Sequence, residues 1–245
     1  MSIRQDILPV TAVEDRSLAM AWRAGFGQLD GRELLAAMIW RAFPGRIALV
    51  SSFGAEAAVL LSMLADIDRH VPIIFLDTGK HFPETLTYRD VLIKRFGFSD
   101  VRNIEPDVES LRAGDPSGEL WRRDPDQCCH LRKVLPLRRA LAPFQAWITG
   151  RKRFHGADRA VLPTVEYVGD QVKVNPLANW TPDQVETAFR TAGLPAHPLI
   201  AEGYPSIGCA TCTRRAGGGP GSRDGRWAGS DKNECGIHQP GGPRM

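Results

Sequence analysis

The sequence predicts an α/β fold with a mainly parallel sheet and flanking helices, on three observations. Short apolar runs alternate with stretches of helical periodicity along most of the chain. The pair "RIALVSS" and "VPIIFLDTG", separated by one helical stretch, is a strand, helix, strand succession of the kind that joins parallel neighbours. The 245 residues carry 43% hydrophobic content, enough for one sizeable core.

Taken in order, Asp30 with Glu33 makes a capping-box-like helix start. Leu34, Leu35, Met38 and Ile39 then recur at helical spacing, and Pro44-Gly45 ends the run. "RIALVSS" is the first strand, "AEAAVLLSMLADI" a helix, and "VPIIFLDTG" the second strand. Further strands are predicted at "VRNIEP" and "FQAWITG", preceded by helical "VLIKRFG" and "LRKVLPLRRALA". Pro136 lacks the N–H that a helix interior needs, so it kinks or restarts the helix that carries Cys128. "VEYVGDQVKVNPL" reads as a hairpin turning at Gly169-Asp170, and "TPDQVETAFRTAG" as a helix capped by Thr181, with Pro182 at its first position and Gly193 past its end.

Composition changes after Cys212. Residues 1–212 read as the α/β domain, and the Gly-rich, polar residues 213–245 as a mobile tail that nevertheless carries Trp227, Cys235, His238 and several arginines. The start of the chain is polar and no apolar run approaches a membrane span, so the expectation is a cytoplasmic protein with free thiols and no membrane partner. The net charge of +3 is modest, but residues 119–160 hold ten Lys/Arg against four Asp/Glu. Such a patch serves either a solvated face, a small polyanionic substrate or RNA.

Ser51, Ser52 and Gly54 fall where a strand becomes a helix, a place where N–H groups and hydroxyls meet an anion. Asp77, Thr78 and Gly79 end the second strand, and Thr149, Gly150 and Arg151 end a third. Ligands of open parallel sheets bind at such ends, so these three turns make a candidate nucleotide crevice.

Five cysteines, an odd number, argue against a set of paired disulfides. Cys128 and Cys129 are adjacent, and Cys209 and Cys212 form a Cys-x-x-Cys pair. Four thiolates could hold zinc, although zinc sites favour two knuckles around one small ion. Adjacent cysteines can splay toward different irons of a 4Fe-4S cluster. Lys133, four residues beyond Cys129, shares its helix face. Cys235 is left over, with His238, Arg223 and Arg226 nearby as cations that favour its thiolate and Glu234 opposing them. Arg223 and Arg226 suit forked hydrogen bonds to sulfate or phosphate oxygens.

Together "SSFGAE", "LDTGKHFPET", "CCHLRK", "TGRKRF", "GCATCTR", "RDGRW" and "ECGIH" resemble the assimilatory adenylyl-sulfate reductase branch of the phosphoadenylyl-sulfate reductase family. The resemblance implies an adenine-nucleotide α-hydrolase-like fold related to the ATP pyrophosphatases. It implies one 4Fe-4S cluster per chain on Cys128, Cys129, Cys209 and Cys212, and Cys235 as nucleophile. Lys133, Arg223, Arg226 and His238 would face the substrate's sulfate and phosphate. The implied reaction reduces adenylyl sulfate to sulfite and AMP through an S-sulfocysteine, with thioredoxin or glutaredoxin as the thiol donor and no nucleic-acid partner; a homo-oligomer is compatible with the sequence. Ser52-Phe53-Gly54-Ala55-Glu56-Ala57 departs from the S-G-G-x-D-S loop of the ATP pyrophosphatases, which speaks against ATP cleavage. That departure also disfavours the rival reading, a tRNA-thiolating enzyme of the same superfamily. A second rival is a non-catalytic, metal-stabilised nucleotide-binding module, in which Cys235 has no task.

Overall fold

In the computed structural model, residues 21–22, 24–156, 159–217, 223–229 and 232–238 are described. The polar N-terminal stretch and the glycines between Gly217 and Arg223 lie outside them. Helix α1 (Gly31–Ala37) leads into strand β1 (Ile47–Val50), helix α2 (Ala57–Ile67), β2 (Ile73–Leu76), helix α3 (Pro83–Phe96) and β3 (Val101–Ile104). Helix α4 (Pro125–Cys129) and helix α5 (Leu135–Leu141) flank a π-helical turn at His130–Val134. Strand β4 (Ala146–Ile148) follows, then the hairpin β5 (Val165–Val168) and β6 (Gln171–Val174), then helix α6 (Pro182–Thr191).

The six strands lie in the order β3-β2-β1-β4-β6-β5, all parallel except the β5–β6 hairpin. Both faces of the sheet are covered. Ile47, Leu49, Ile73, Phe75 and Ile148 point into the larger core with residues of α1, α2, α3 and α6, whereas Ala48, Ile74 and Trp147 point to the other side, where Leu137 and Leu141 of α5 meet them. Strands buried on both faces read as continuous apolar runs, which is why "IALV" and "IIFL" lack a polar alternation.

The predicted strands and helices are present, but the helix read at "VLIKRFG" begins eight residues earlier, at Pro83, within the run "LDTGKHFPET" read as a turn. Three further details are refined. Asp30 occupies the N-cap position of α1, but its side chain accepts no capping hydrogen bond. Thr181 and Gln184 make the full capping box of α6. Pro136 sits in the first turn of α5, after the π-helical turn has already broken the regular ladder, so the proline costs no interior hydrogen bond.

The chain adds β2 and β3 on one side of β1, then crosses back to place β4 on the other. At such a reversal the loops leaving neighbouring strands diverge and leave a crevice at their carboxyl ends. Here those loops are Ser51–Gly54 and Thr149–Arg151.

Candidate functional site

A cavity of about 210 Å³ occupies this crevice. Ser51, Ser52 and Gly54 line it from the β1 end, and Thr149, Gly150 and Arg151 from the β4 end. The β1 loop is tightly built. Phe53 is fully buried with a left-handed φ of 48°, and its N–H is held 3.2 Å from Ser51 Oγ. A non-glycine residue in that region stores strain, tolerated here because the ring is locked edge-on against Phe75. Asp77, Thr78 and Gly79 do not line the cavity. The turn they form serves the cysteines instead: Thr78 Oγ1 lies 3.3 Å from Cys209 Sγ, and the Thr78 carbonyl accepts from Arg132 Nη1 at 2.9 Å.

The remaining wall is charged. Lys133, Arg151, Lys152, Arg159, Arg223 and Arg226 line it against Glu56 and Glu234, so the predicted basic patch divides: Lys133, Arg151, Lys152 and Arg159 face the cavity, while Arg122, Arg123, Arg138, Arg139 and Arg153 are exposed. Lys152 Nζ is 2.7 Å from Glu56 Oε2, and Arg151 is paired with Glu166. Several buried atoms of cavity-lining residues have no protein partner, namely His81 Nδ1, Arg151 Nε, Arg226 Nε and His238 Nδ1. Buried polar groups are nearly always satisfied, so orphan groups around a cavity mark where a polar ligand would complete the bonding.

Cys128, Cys129, Cys209 and Cys212 line a second, smaller recess beside the first, together with Thr78, Lys133, Arg226 and Trp227. The two cysteine pairs come from α4 and from the turn Ala210–Cys212, which is joined to the β2 loop by the Ala210 N to Lys80 O bond of 2.7 Å. Burial pushes the Cys128 thiol up to about 11, and the neighbouring Cys209 and Cys212 sulfurs push the same way, opposed by Arg132. Four soft donors with cations beside them fit an anionic iron–sulfur cluster. Among the described residues, no three His, Cys, Asp or Glu side chains are grouped to hold a single metal ion.

Lys133, Arg226 and Trp227 line both recesses, and Cys235 lines the larger one, against Cys129 of the smaller. A hydrogen bond from the Cys129 thiol holds the Cys235 thiol well below the usual range against the opposing effect of burial, and Lys133, the Ile237 amide and Arg226 add to it. A Cys129 bound as a thiolate ligand has no proton to donate, and the lowering would then rest on Lys133, the Ile237 amide and Arg226. Burial would lower the Lys133 pKa, but the surrounding Cys209, Cys235 and Cys129 sulfurs outweigh it and raise it. Two sequence expectations change at this point. His238 is not a cation beside the thiol, because burial and the nearby Lys173, Arg151, Arg159 and Arg223 keep its imidazole neutral. Glu234 does not oppose the thiolate as an isolated charge, since Arg159 and Arg223 both bind its carboxylate.

The described part of the tail is seated on the domain. Trp227 N–H donates to Cys212 O at 3.0 Å, Arg226 stacks on the Trp227 ring at 4.4 Å, and Thr213 and Arg226 form a β-bridge. A Cβ at Gly208 would come within 2.2 Å of Arg226 Nη2, so a side chain there would push the Arg226 guanidinium out of its present seat. Glu56, Lys152, His155 and Arg159 were not singled out in the sequence. The run "GRKRF" was the signal for Lys152, but nothing local marks Arg159, whose partner Glu234 lies 75 residues away.

Residues 46–215 match the phosphoadenosine phosphosulfate reductase domain. A Mesorhizobium japonicum protein named adenosine 5'-phosphosulfate reductase is 50% identical over 216 residues, covering 88% of this chain and 85% of its own. A Bacillus subtilis protein named adenosine 5'-phosphosulfate reductase 2 is 39% identical, covering 82% and 86%. Among solved structures, a phosphoadenylyl-sulfate reductase from Candida auris in a phosphate complex superposes with a TM-score of 0.67 at 25% identity, covering 82% of this chain and 98% of that one. An FMN adenylyltransferase from Candida glabrata, 13% identical with a TM-score of 0.53, shares the fold and covers 81% and 72%.

Proposed function

Because the chain belongs to the phosphoadenosine phosphosulfate reductase domain family, we propose that it is an oxidoreductase that converts adenylyl sulfate to sulfite and AMP, with Cys235 as nucleophile. The observation that carries this reading is the position of Cys235, at the junction of a nucleotide crevice and a cluster of cations with orphaned donors.

The AMP part of the substrate would lie against the loops at Ser51–Gly54 and Thr149–Arg151, with its sulfate toward Lys133, Arg223, Arg226 and His238. Sulfate itself is a poor electrophile, but as a mixed anhydride with AMP it has a good leaving group. The Cys235 thiolate attacks the sulfate sulfur, the bond from sulfur to the bridging phosphate oxygen breaks, and AMP departs with that oxygen and its electron pair. Lys133 and Arg226 stabilise the charge that builds on the oxygens. A dithiol protein such as thioredoxin or glutaredoxin then attacks Cys235 Sγ and releases sulfite; its second thiol resolves the mixed disulfide and returns the Cys235 thiol. Two electrons come from the dithiol, which leaves as a disulfide.

Cys128, Cys129, Cys209 and Cys212 would hold one 4Fe-4S cluster per chain, which supplies a covalent clamp between α4 and the Ala210–Cys212 turn and a negative field beside Lys133. The tail would open for the protein thiol and close over the nucleotide. The test is to mix enzyme and adenylyl sulfate without a thiol donor. An adduct of about 80 Da, the mass of SO3, should appear on Cys235 and discharge as sulfite when thioredoxin is added. Normal turnover with the adduct on another cysteine, or on none, would sink the assignment. Sulfite assays with the 3′-phosphorylated nucleotide alongside measure the substrate preference.

A further inference from the structure

Glu234, immediately before the nucleophile, is among the most buried charges in the molecule at 5% exposure. Arg159 grips it with both arms of its guanidinium, Nε to Oε2 at 2.5 Å and Nη2 to Oε1 at 2.9 Å. Arg223 Nη2 donates to the same Oε1 at 3.2 Å. That oxygen also accepts the backbone N–H of Cys235 at 2.8 Å. One carboxylate therefore binds two arginines and the nucleophile's own amide.

Arg159 is in turn fixed from behind. Its Nη1 lies 3.0 Å from His155 Nδ1, and since a guanidinium can only donate, Nδ1 is the acceptor and the ring proton sits on Nε2. His155 Nε2 lies 3.1 Å from Glu56 Oε2, which Lys152 also binds. A continuous polar chain thus runs from the loop after β1 through His155 and Arg159 to Glu234 and the Cys235 amide. Planar, two-point contacts of this kind fix orientation as well as distance.

We infer that Arg159 and Glu234 are positioning residues for the reaction, forming a catch that seats the Cys235 segment and ties it to the nucleotide loop. This deepens the reductase reading and rests on it for the word reaction; the seating itself does not. Arg223 holds the tail from within the same contact, since its Nη2 also donates to the Asn233 carbonyl at 3.2 Å. A substrate anion that recruits Arg223 would loosen one strand of the catch while the Arg159 fork keeps the thiol in place.

The experiment uses the full-length holoenzyme and the variants Arg159→Met, Glu234→Gln and their combination. Hydrogen–deuterium exchange without substrate reads the seating directly. Peptides covering 232–238 should exchange at least about tenfold faster in each single variant, while peptides of β1 and β2 stay as in the wild type. In sulfite assays kcat should fall by up to about a hundredfold, the scale of a small misplacement of a reacting group, with little change in KM. The double variant should be no worse than the worse single one, because both residues act through one contact. Unchanged exchange at 232–238 overturns the inference. So does a rise in KM with kcat intact, which would make Arg159 a substrate contact, and so do effects that multiply in the double variant. If Arg159→Met does not fold, Glu234→Gln, which keeps the side-chain shape, decides alone. A wild type that forms no sulfite defeats the reductase reading, and the exchange result still stands or falls by itself.

Discussion

The two walls of the candidate crevice are held by different forces. The β1 and β4 ends project from a sheet whose Leu49, Ile73, Phe75 and Ile148 are almost wholly buried, so the loops that would receive the nucleotide inherit the rigidity of a close-packed core. The opposite wall comes from α4, the π-helical turn, the Ala210–Cys212 turn and the residues around Cys235. Its apolar packing is sparser, a small cluster of Leu120, Cys128 and Leu131 with Ile237 and His238 laid on the sheet's second core at Trp147, and ion pairs such as Arg132–Asp115 and Arg159–Glu234 contribute much of the joining. Charge pairs depend on geometry and on every partner being present, whereas apolar burial is spread over many contacts. The lesson is a division of labour: the wall proposed to bind is built for permanence, and the wall proposed to react is built more from contacts that can be exchanged.

The largest expected effect separates chemistry from stability. Cys235→Ser should abolish sulfite formation, a loss of about 10⁴-fold or more, with the thermal midpoint essentially unchanged. Phe75→Ala should do the reverse in kind, costing about 3–5 kcal/mol of stability through the cavity left in the core. If Cys235→Ser lowered the midpoint as much as Phe75→Ala does, the reacting wall would be part of the main cooperative unit and the contrast would fail. Next in size, Lys133→Ala and Arg226→Ala should each lose about 1–3 kcal/mol of transition-state stabilisation, read from kcat/KM, because they remove charge-assisted hydrogen bonds to the anion. Tight, salt-sensitive binding of RNA lost in these variants would instead support the tRNA-thiolation reading.

The same division decided what the sequence could reveal. Apolar burial leaves a periodic trace, and "IALV", "IIFL" and the Thr181 to Gly193 helix were legible because local spacing alone encodes them. That Cys128, Cys129, Cys209 and Cys212 come together was legible because few residue types share their chemistry. The role of Asp77, Thr78 and Gly79 was not, since a polar strand end looks alike whether it meets a ligand or, as here, the turn that carries Cys209. Nor was the charge state around Cys235. Proximity in sequence made His238 a helpful cation and Glu234 a hindrance; burial neutralises the first, and two arginines, one of them remote in the chain, compensate the second. Long-range ion pairs have no periodicity to betray them.

The smallest expected effect tests a contact inside the nucleotide wall, on the side that leads through His155 and Arg159 to the other one: Glu56 with Lys152 and His155. Burial would raise the Glu56 pKa, but Lys152 and His155 outweigh it and bring it down to about 2 from 4.5. A carboxylate with a depressed folded pKa contributes stability that is fully present above its unfolded value and is lost as pH falls through the folded one. Glu56 therefore supports the fold above about pH 4.5 and ceases to do so toward pH 2. Burial lowers the His155 pKa below its usual 6.5, so its protonation in the unfolded chain already begins to erode stability at milder acidity. Glu56→Gln removes only the lower limb, and it leaves the buried Lys152 without its carboxylate at neutral pH. The thermal midpoint of the variant should accordingly lie below the wild type at pH 7, with the gap closing as both are titrated below pH 4.5, because the wild-type carboxylate is then protonated as well. A gap that stays constant down to the lowest accessible pH would mean that Glu56 acts by its shape and not its charge, and that the nucleotide loop is held by packing on this side too.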